Sequence, residues 1–249
     1  MAKARYSEYA FAKGWASVSQ ITGLPGKEFL YSWYFKNCAH ARDEQGKPLP
    51  SAYEIVKSSQ IIGNLMDVQI QHYFEDETIP EIDSSLIEKA GRWKDEYYQA
   101  LRNFYSFAKE YKPKSIAGQM VVWSKKYKVI GSLDRLTFIQ DQIVLGDWKA
   151  TNFVSYEYLL QLEGYYHLVM EMMQNGDMKE HYPEVYEILK VDNWHEQQLW
   201  LVQFAKKRQM ERDDVKKFST SLEAWEKGFL GLLGYYYQKK ETAKELGFK

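Results

Sequence analysis

The chain has 249 residues, a formal net charge of −1 and a single cysteine, Cys38. Hydrophobic residues make up 45% of the chain and aromatic residues 16%, which is enough apolar surface for a packed core and excludes a disordered protein. One cysteine excludes an internal disulfide, a cysteine-built zinc site and a four-cysteine iron–sulfur cluster. The length and even composition predict one domain over residues 1–249.

The first part of the chain, residues 1–112, is predicted to be mainly helical. The glycine and prolines of residues 43–51 indicate a loop. Apolar residues at helical spacing follow from 52 to about 75 and again over 84–111, where Ser84 and Ser85 are candidate N-caps.

After Pro113 the pattern changes to strands rich in β-branched and aromatic residues, broken by polar turns. Helices before and after a short antiparallel sheet predict an α/β fold with helices on both faces. The predicted strands are 121–123, 127–139, 142–149 and 198–205, and the later helices are 155–174 and 222–245.

Two aspartates are predicted to face each other across a hairpin. If the two residues between Ile139 and Gln142 form its turn, counting five residues along each strand places Asp134 directly opposite Asp147. Facing like charges destabilise a sheet. A hard cation would offset this repulsion, so the pair predicts a Mg²⁺ or Mn²⁺ site.

Lys149 lies two residues after Asp147 and therefore on the same face of the strand, while Trp148 points into the core on the other face. Taken alone, this pair also fits an ordinary exposed ion pair. A metal with an adjacent lysine instead supports phosphodiester hydrolysis. On the next predicted helix, Gln161 and Tyr165 are four residues apart and share a face.

These residues form three ordered motifs, G-x-x-D at 131–134, D-x-K at 147–149 and Q-x-x-x-Y at 161–165. In the presence and order of these motifs, the sequence resembles the PD-(D/E)XK nuclease superfamily, and within it the RecB-like exonuclease branch. The resemblance implies a restriction-endonuclease-like core over 113–249, with a central mixed β-sheet flanked by helices and a helical N-terminal part. It also implies these catalytic residues: Asp134, Asp147, Lys149, Gln161 and Tyr165. The implied metal ligands are the Asp134 and Asp147 carboxylates and the Trp148 carbonyl.

A weaker resemblance extends toward the N-terminus. Residues 17–22, followed by Trp33, are similar to the opening S-V-T-x-I-L of phage and mitochondrial genome maintenance exonucleases. Relatives then carry a helix with G-x-x-x-H, and Asp67, four residues after Gly63, occupies the place of that histidine. The family pattern thus implies Asp67 as a further metal ligand, with His72 as the alternative.

A second departure is Gln119, which stands where many relatives have a glutamate, so a second metal would be held less tightly. One cysteine cannot ligate an iron–sulfur cluster, so the branches of the superfamily that carry such a cluster are excluded. The phage or mitochondrial type of exonuclease remains.

The resemblance therefore predicts a metal-dependent exonuclease acting on single-stranded DNA or DNA ends in recombination or end processing. A structure-specific or restriction-like endonuclease and a catalytically silent DNA-binding module remain as alternatives. No signal peptide or membrane span is expected, and a cytoplasmic location in a bacterium or a phage-infected host fits. Cleavage polarity and oligomeric state stay open.

DNA binding by a chain of net charge −1 requires local basic groups. Lys125, Lys126 and Lys128 are predicted to hold the DNA backbone. A second group over 206–217 is the next candidate, and exposed aromatic residues of the N-terminal helices are expected to stack on unpaired bases.

Overall fold

The computed structural model describes residues 9–24, 52–76, 78–79, 84–191 and 198–246. The predicted loop at 43–51 lies outside the described residues, as do Trp33 and Cys38. The described part begins with a 3-10 turn at Ala10–Ala12, a short strand β1 (Ala16–Ser17) and helix α1 (Val18–Thr22). Ser17 caps this helix, because its hydroxyl accepts a hydrogen bond from the Gln20 amide at 3.2 Å.

Three helices follow, α2 (Ala52–Asp76), α3 (Ser84–Ala90) and α4 (Lys94–Tyr111). The helix predicted over 84–111 is interrupted, because a 3-10 turn at Gly91–Trp93 separates α3 from α4. Gly91 takes a positive φ of 56° there, a conformation that glycine adopts without steric cost. The helix predicted from 52 to about 75 is confirmed.

The next four strands form one bent antiparallel ribbon that belongs to two sheets. Strands β2 (Lys114–Gly118) and β5 (Arg135–Ile139) pair in a five-stranded sheet, and β3 (Val121–Ser124) and β4 (Val129–Ser132) pair in a three-stranded sheet with β1. The single strand predicted over 127–139 is therefore wrong. It divides at residues 133–134, where the ribbon passes from one sheet to the other.

Strand β6 (Gln142–Lys149) returns along β5 through a two-residue turn. Gln140 and Asp141 both have positive φ, 52° and 61°, as a type I′ hairpin turn requires. Ile139 pairs with Gln142, and the ladder continues in register to Arg135 opposite Gly146. The predicted hairpin register is confirmed along this ladder.

Strand β7 (Gln198–Gln203) pairs parallel with β6, and β8 (Val215–Ser219) pairs with β7, so the five-stranded sheet is mixed, in the order β2-β5-β6-β7-β8. The edge strand β8 and the short helices α6 (Asp177–His181) and α7 (Pro183–Val191) were not predicted. The final helix begins with a π-helical segment. The remaining elements are α5 (Tyr156–Asn175), the π-helix (Ala224–Phe229) and α8 (Leu230–Glu245).

Helices cover both faces of this sheet, so the predicted α/β fold with a central mixed sheet is confirmed. One core lies between the sheet and α2 and α4, and contains Trp148, Trp200 and Phe104. The other contains Leu145 and Leu201 from the sheet, together with α5 and the three-stranded sheet. Among the described residues, every helix is too short or too polar to cross a lipid bilayer.

Candidate active site

Asp134 lies at the bend of the ribbon, just before β5. Two backbone hydrogen bonds hold the bend, from the Gln119 amide to the Asp134 carbonyl and from the Leu133 amide to the Met120 carbonyl, both 3.0 Å. Gln119 has a positive φ of 51°, which turns the chain out of β2. Asp134 lies between β4 and β5, outside both strands, and its side chain is 42% exposed.

Asp134, Asp147 and Lys149 meet at the carboxyl-terminal end of β6. The Lys149 Nζ lies 2.6 Å from Asp147 Oδ1 and 3.3 Å from Asp134 Oδ2. The ladder ends where Arg135 is opposite Gly146, and Asp134 and Asp147 are the next residues beyond that pair, so they lie at the same end of the two strands. The structure therefore brings together the three residues that the motifs singled out first.

Asp147 is a buried carboxylate with little support from hydrogen bonds. Its side chain is 1% exposed, and neither carboxylate oxygen has a hydrogen-bond partner of good geometry. The close contact with Lys149 is an ion pair whose angles do not meet those of a hydrogen bond. Burial, with the nearby Asp134 charge, raises the pKa of Asp147 well above its usual range despite the lysine.

Lys149 remains the cation of this group. Burial by itself would lower the pKa of Lys149, but the Asp134 and Asp147 carboxylates outweigh it and hold the pKa well above its usual range. The Lys149 Nζ also lies 5.4 Å from the centre of the Tyr158 ring. The site therefore holds a protonated lysine between two acidic groups.

Gln161 and Tyr165 lie on α5, and the Gln161 Nε2 donates a hydrogen bond to the Tyr165 hydroxyl at 3.0 Å. The Tyr165 hydroxyl is near enough to Lys149 to favour the charged form of the lysine. The Tyr165 ring also crosses Gly131 so closely that a Cβ there would lie 2.5 Å from its Cε1. The glycine of the G-x-x-D motif thus has a packing role.

Trp148 anchors the strand from the opposite face, where its ring contacts Phe74, Phe104 and Phe107. The carbonyl of the next residue, Lys149, accepts a hydrogen bond from the Phe204 amide on the β7 side at 2.8 Å. Successive carbonyls of a strand point to opposite sides, so the Trp148 carbonyl points to the side that β5 has left. Its role as a ligand stays a prediction.

Asp67 is exposed on α2 and is linked to the site through Arg135. This arginine is 5% exposed and donates a hydrogen bond to Gln71 of α2 at 2.8 Å. Burial lowers the pKa of Arg135, while the charges of Asp134 and Asp67 oppose that shift. Asp67 thus lies in the electrostatic environment of Arg135, as Asp134 does. His72 is also exposed on α2.

The three aspartates do not form a closed ligand cluster. Among the described residues, one trio offers carboxylate or imidazole ligand atoms all within 4.8 Å of one another, namely Asp177, Glu180 and His181. This trio could hold a metal ion. However, the Asp177 carboxylate already accepts hydrogen bonds from the Trp123 indole at 3.0 Å and from Lys125 at 2.8 Å.

The predicted DNA-binding lysines occupy the β3–β4 turn. Lys125 pairs with Asp177, Lys126 lies 4.6 Å from the centre of the Tyr127 ring, and the Lys128 carbonyl accepts hydrogen bonds from Ala16 and Tyr237. Strand β4 runs from this turn to the bend. The lysines therefore lie at one end of β4 and Asp134 lies at the other end. Their role in DNA binding stays a prediction.

The second lysine group begins on the site side of the sheet. Lys206 follows β7, whose last residue pairs with Lys149, and its amide donates a hydrogen bond to Asn152 Oδ1 at 2.8 Å. The expected exposed aromatic residues are absent from the described side chains of α2, α3 and α4. That expectation is wrong for those side chains, because their aromatic rings pack into the core or are half-buried.

Sequence reasoning missed Tyr158 and Arg135. Tyr158 lies three residues before Gln161 and seven before Tyr165, so a search along the helix face of the Q-x-x-x-Y motif finds it. Arg135 follows Asp134 directly, but its burial under α2 depends on a long-range contact.

The sequence itself matches no protein-family model, and no curated protein matches it either.

Proposed function

We propose that this protein is a metal-dependent DNA exonuclease that hydrolyses phosphodiester bonds in single-stranded DNA or at DNA ends. The observation that carries the proposal is the meeting of Asp134, Asp147 and Lys149 at the end of β6, with the lysine Nζ 3.3 Å and 2.6 Å from the two carboxylates. The order of the motifs that resemble RecB-like exonucleases supports it.

The donor set fits a divalent metal. Asp147 presents two buried carboxylate oxygens without hydrogen bonds, and the cost of burying that charge would fall if Mg²⁺ or Mn²⁺ bound there. Asp134 and the Trp148 carbonyl would complete the protein's share of the ligands, with Asp67 as a more distant candidate. Such a metal would polarise the scissile phosphate and lower the pKa of a bound water.

Lys149 supplies positive charge where the reaction needs it. Its ammonium group remains protonated at neutral pH, because both carboxylates stabilise it. A cation held beside the reacting phosphate neutralises the charge that grows on the phosphate oxygens in the transition state. The hydrogen bond between Gln161 and Tyr165 fixes the helix side chains that border the lysine.

Two other functions use the same residues differently. A restriction-like endonuclease would cut within a strand, and a silent DNA-binding module would bind without cutting. The silent module is disfavoured by the buried Asp147, because a carboxylate with a strongly raised pKa is costly to keep ionised and adds no affinity for a polyanion.

A cleavage assay on matched linear and circular single-stranded DNA tests the proposal. The linear strand carries a label at one end, with that end or the other chemically blocked, and the reactions contain Mg²⁺ or Mn²⁺. We expect the linear strand to be degraded from a free end and the circle to survive. Cleavage of the circle would instead support the endonuclease, and intact strands in every reaction, with retained binding, would support the silent module.

A further inference from the structure

Two aromatic side chains are strongly exposed just after Lys149. Phe153 is 72% exposed and Tyr156, the first residue of α5, is 65% exposed. Phe153 lies four residues after Lys149, in the loop that follows β6, and Tyr156 begins the helix that carries Gln161 and Tyr165. Large exposed aromatic side chains at such a place are typical of a binding surface.

The loop that carries Phe153 is held by hydrogen bonds. The Thr151 hydroxyl donates to the Phe153 carbonyl at 3.0 Å and accepts from the Phe153 amide at 3.3 Å. The Gln203 side-chain amide donates to the Thr151 carbonyl at 2.9 Å, which ties the loop to β7. These hydrogen bonds therefore fix the backbone that carries the exposed ring.

Positive charge lies beside this loop. The Lys206 amide binds Asn152, and the Lys206 Nζ donates to the Ser59 hydroxyl at 2.9 Å. No carboxylate of a described residue lies within 4.0 Å of that ammonium group, and burial lowers the pKa of Lys206 below its usual range. Lys207, the next residue, is exposed. The Glu96 carboxylate partly opposes this shift from beyond 4.0 Å, and a partly buried cation without an ion-pair partner among the described residues is suited to an anionic ligand.

We propose that Phe153 and Tyr156, together with Lys206 and Lys207, form a surface that binds an unpaired DNA strand beside the site. The rings stack on nucleobases and the ammonium groups contact phosphates, which is how proteins hold single strands without reading their sequence. The inference rests on the proposed function, because it names how that site would receive its substrate.

The test measures binding of a fluorescent oligothymidine by anisotropy, without divalent metal, for the wild type and for a Phe153→Ala/Tyr156→Ala double variant. Stacking is sequence-tolerant and strong, so we expect affinity to fall about tenfold or more with an unchanged salt dependence. A strand with abasic residues should bind the wild type more weakly and show little further loss with the double variant. Tyr235→Ala, which removes an exposed tyrosine from α8, is the matched control and should bind like the wild type.

Removing the lysines should change both the affinity for DNA and its salt dependence, unlike removing the aromatic rings. A Lys206→Ala/Lys207→Ala variant should bind both strands more weakly, with a salt slope shallower by about 0.7 per lost phosphate contact. Equal binding of the normal strand by the wild type and the aromatic variant would overturn the inference, even if the wild type cleaves DNA. Conversely, aromatic-dependent binding without any cleavage would uphold this surface and refute the proposed nuclease function.

Discussion

Lys149 is the residue on which the proposed chemistry depends most directly, because it is the cation between Asp134 and Asp147. Replacing it with methionine removes the charge while keeping a long side chain. We expect Lys149→Met to bind DNA nearly as well as the wild type but to cleave about a hundredfold more slowly, since the lost charge acts on the transition state. Single-turnover cleavage and anisotropy measure the two effects separately.

Lys239→Met provides the control, because Lys239 is exposed on α8. It should leave both the rate and the affinity unchanged. If the affinity of Lys149→Met for DNA fell as far as its rate, the lysine would be a phosphate-binding residue, and its proposed role in the transition state would be wrong.

At the level of elements, the packing of α5 against β4 depends on the absence of a side chain at Gly131. A Cβ at this position would lie 2.5 Å from the Tyr165 ring and 2.8 Å from Val18 Cγ2. We therefore expect Gly131→Ala to lower the free energy of unfolding by about 1–3 kcal/mol, as overpacking does, and to reduce cleavage by displacing Tyr165. Denaturant unfolding and a cleavage assay check the two effects.

Gly231→Ala on α8 is the matched control. A Cβ at Gly231 meets no atom within 4 Å, and alanine favours a helix over glycine, so this variant should be as stable as the wild type or more stable. Equal stability of Gly131→Ala and the wild type would contradict the close packing of α5 against β4.

The loop after β7 depends on a different interaction. Arg208 contacts both carboxylate oxygens of the buried Asp214 at 2.6 Å. Burial alone would raise the pKa of Asp214, but these hydrogen bonds outweigh it and lower the pKa below its usual range. A lowered pKa in the folded state stabilises the protein above the unfolded value of about 3.9, and this contribution disappears as the pH falls through the folded value.

Asp214→Asn should therefore melt at a lower temperature than the wild type at pH 7, and the difference should shrink as the pH falls below about 4. Thermal melts across this pH range measure the effect. Asp213→Asn, at the exposed neighbouring position, should show no such pH-dependent difference. A constant difference across the whole range would mean that the ionised Asp214 does not stabilise this loop.

Local patterns predicted the elements that depend on near neighbours in sequence. The β5–β6 register followed from a two-residue turn between apolar runs, and it brings Asp134 and Asp147 to the same end of the hairpin, one residue beyond the last pair of the ladder. The division of the predicted strand at 133–134 could not be seen, because Leu133 and Asp134 are neither glycine nor proline and give no local turn signal. The bend depends instead on the positive φ of Gln119 and on backbone hydrogen bonds between residues 119–120 and 133–134, which are contacts between separate segments.

Strand β8 was missed for a related reason. Its sequence, V-K-K-F-S, has two adjacent lysines and little apolar alternation. It forms a strand because β7 supplies its pairing, and lysines are common on edge strands because they oppose further strand addition.

At the scale of the whole molecule, the two lysine groups that are candidates for DNA binding lie at separate places. Lys125, Lys126 and Lys128 lie at the far end of β4, and Lys206 lies at the site end of β7. If the first group holds DNA as the sequence predicts, replacing all three lysines with alanine should weaken single-strand binding and lower the salt slope by about 0.7 for each lost contact. The maximal cleavage rate should stay the same.

Thermal melts must accompany that triple variant, because Lys125 pairs with the buried Asp177 and its loss leaves the carboxylate with less support. Unchanged affinity and slope in a folded triple variant would mean that these lysines are ordinary surface residues. The DNA strand would then lie nearer to Lys206, at the carboxyl-terminal end of β7.

The central claim is that Asp147 takes part in metal-dependent hydrolysis, and the most direct test is the single-turnover cleavage rate of Asp147→Asn with Mn²⁺. The amide replaces a carboxylate whose charge is disfavoured by burial, so the metal-free variant should melt no lower than the wild type. We predict that it cleaves no end-labelled single-stranded DNA under conditions in which the wild type degrades it completely. Cleavage by Asp147→Asn at the wild-type rate would contradict the account.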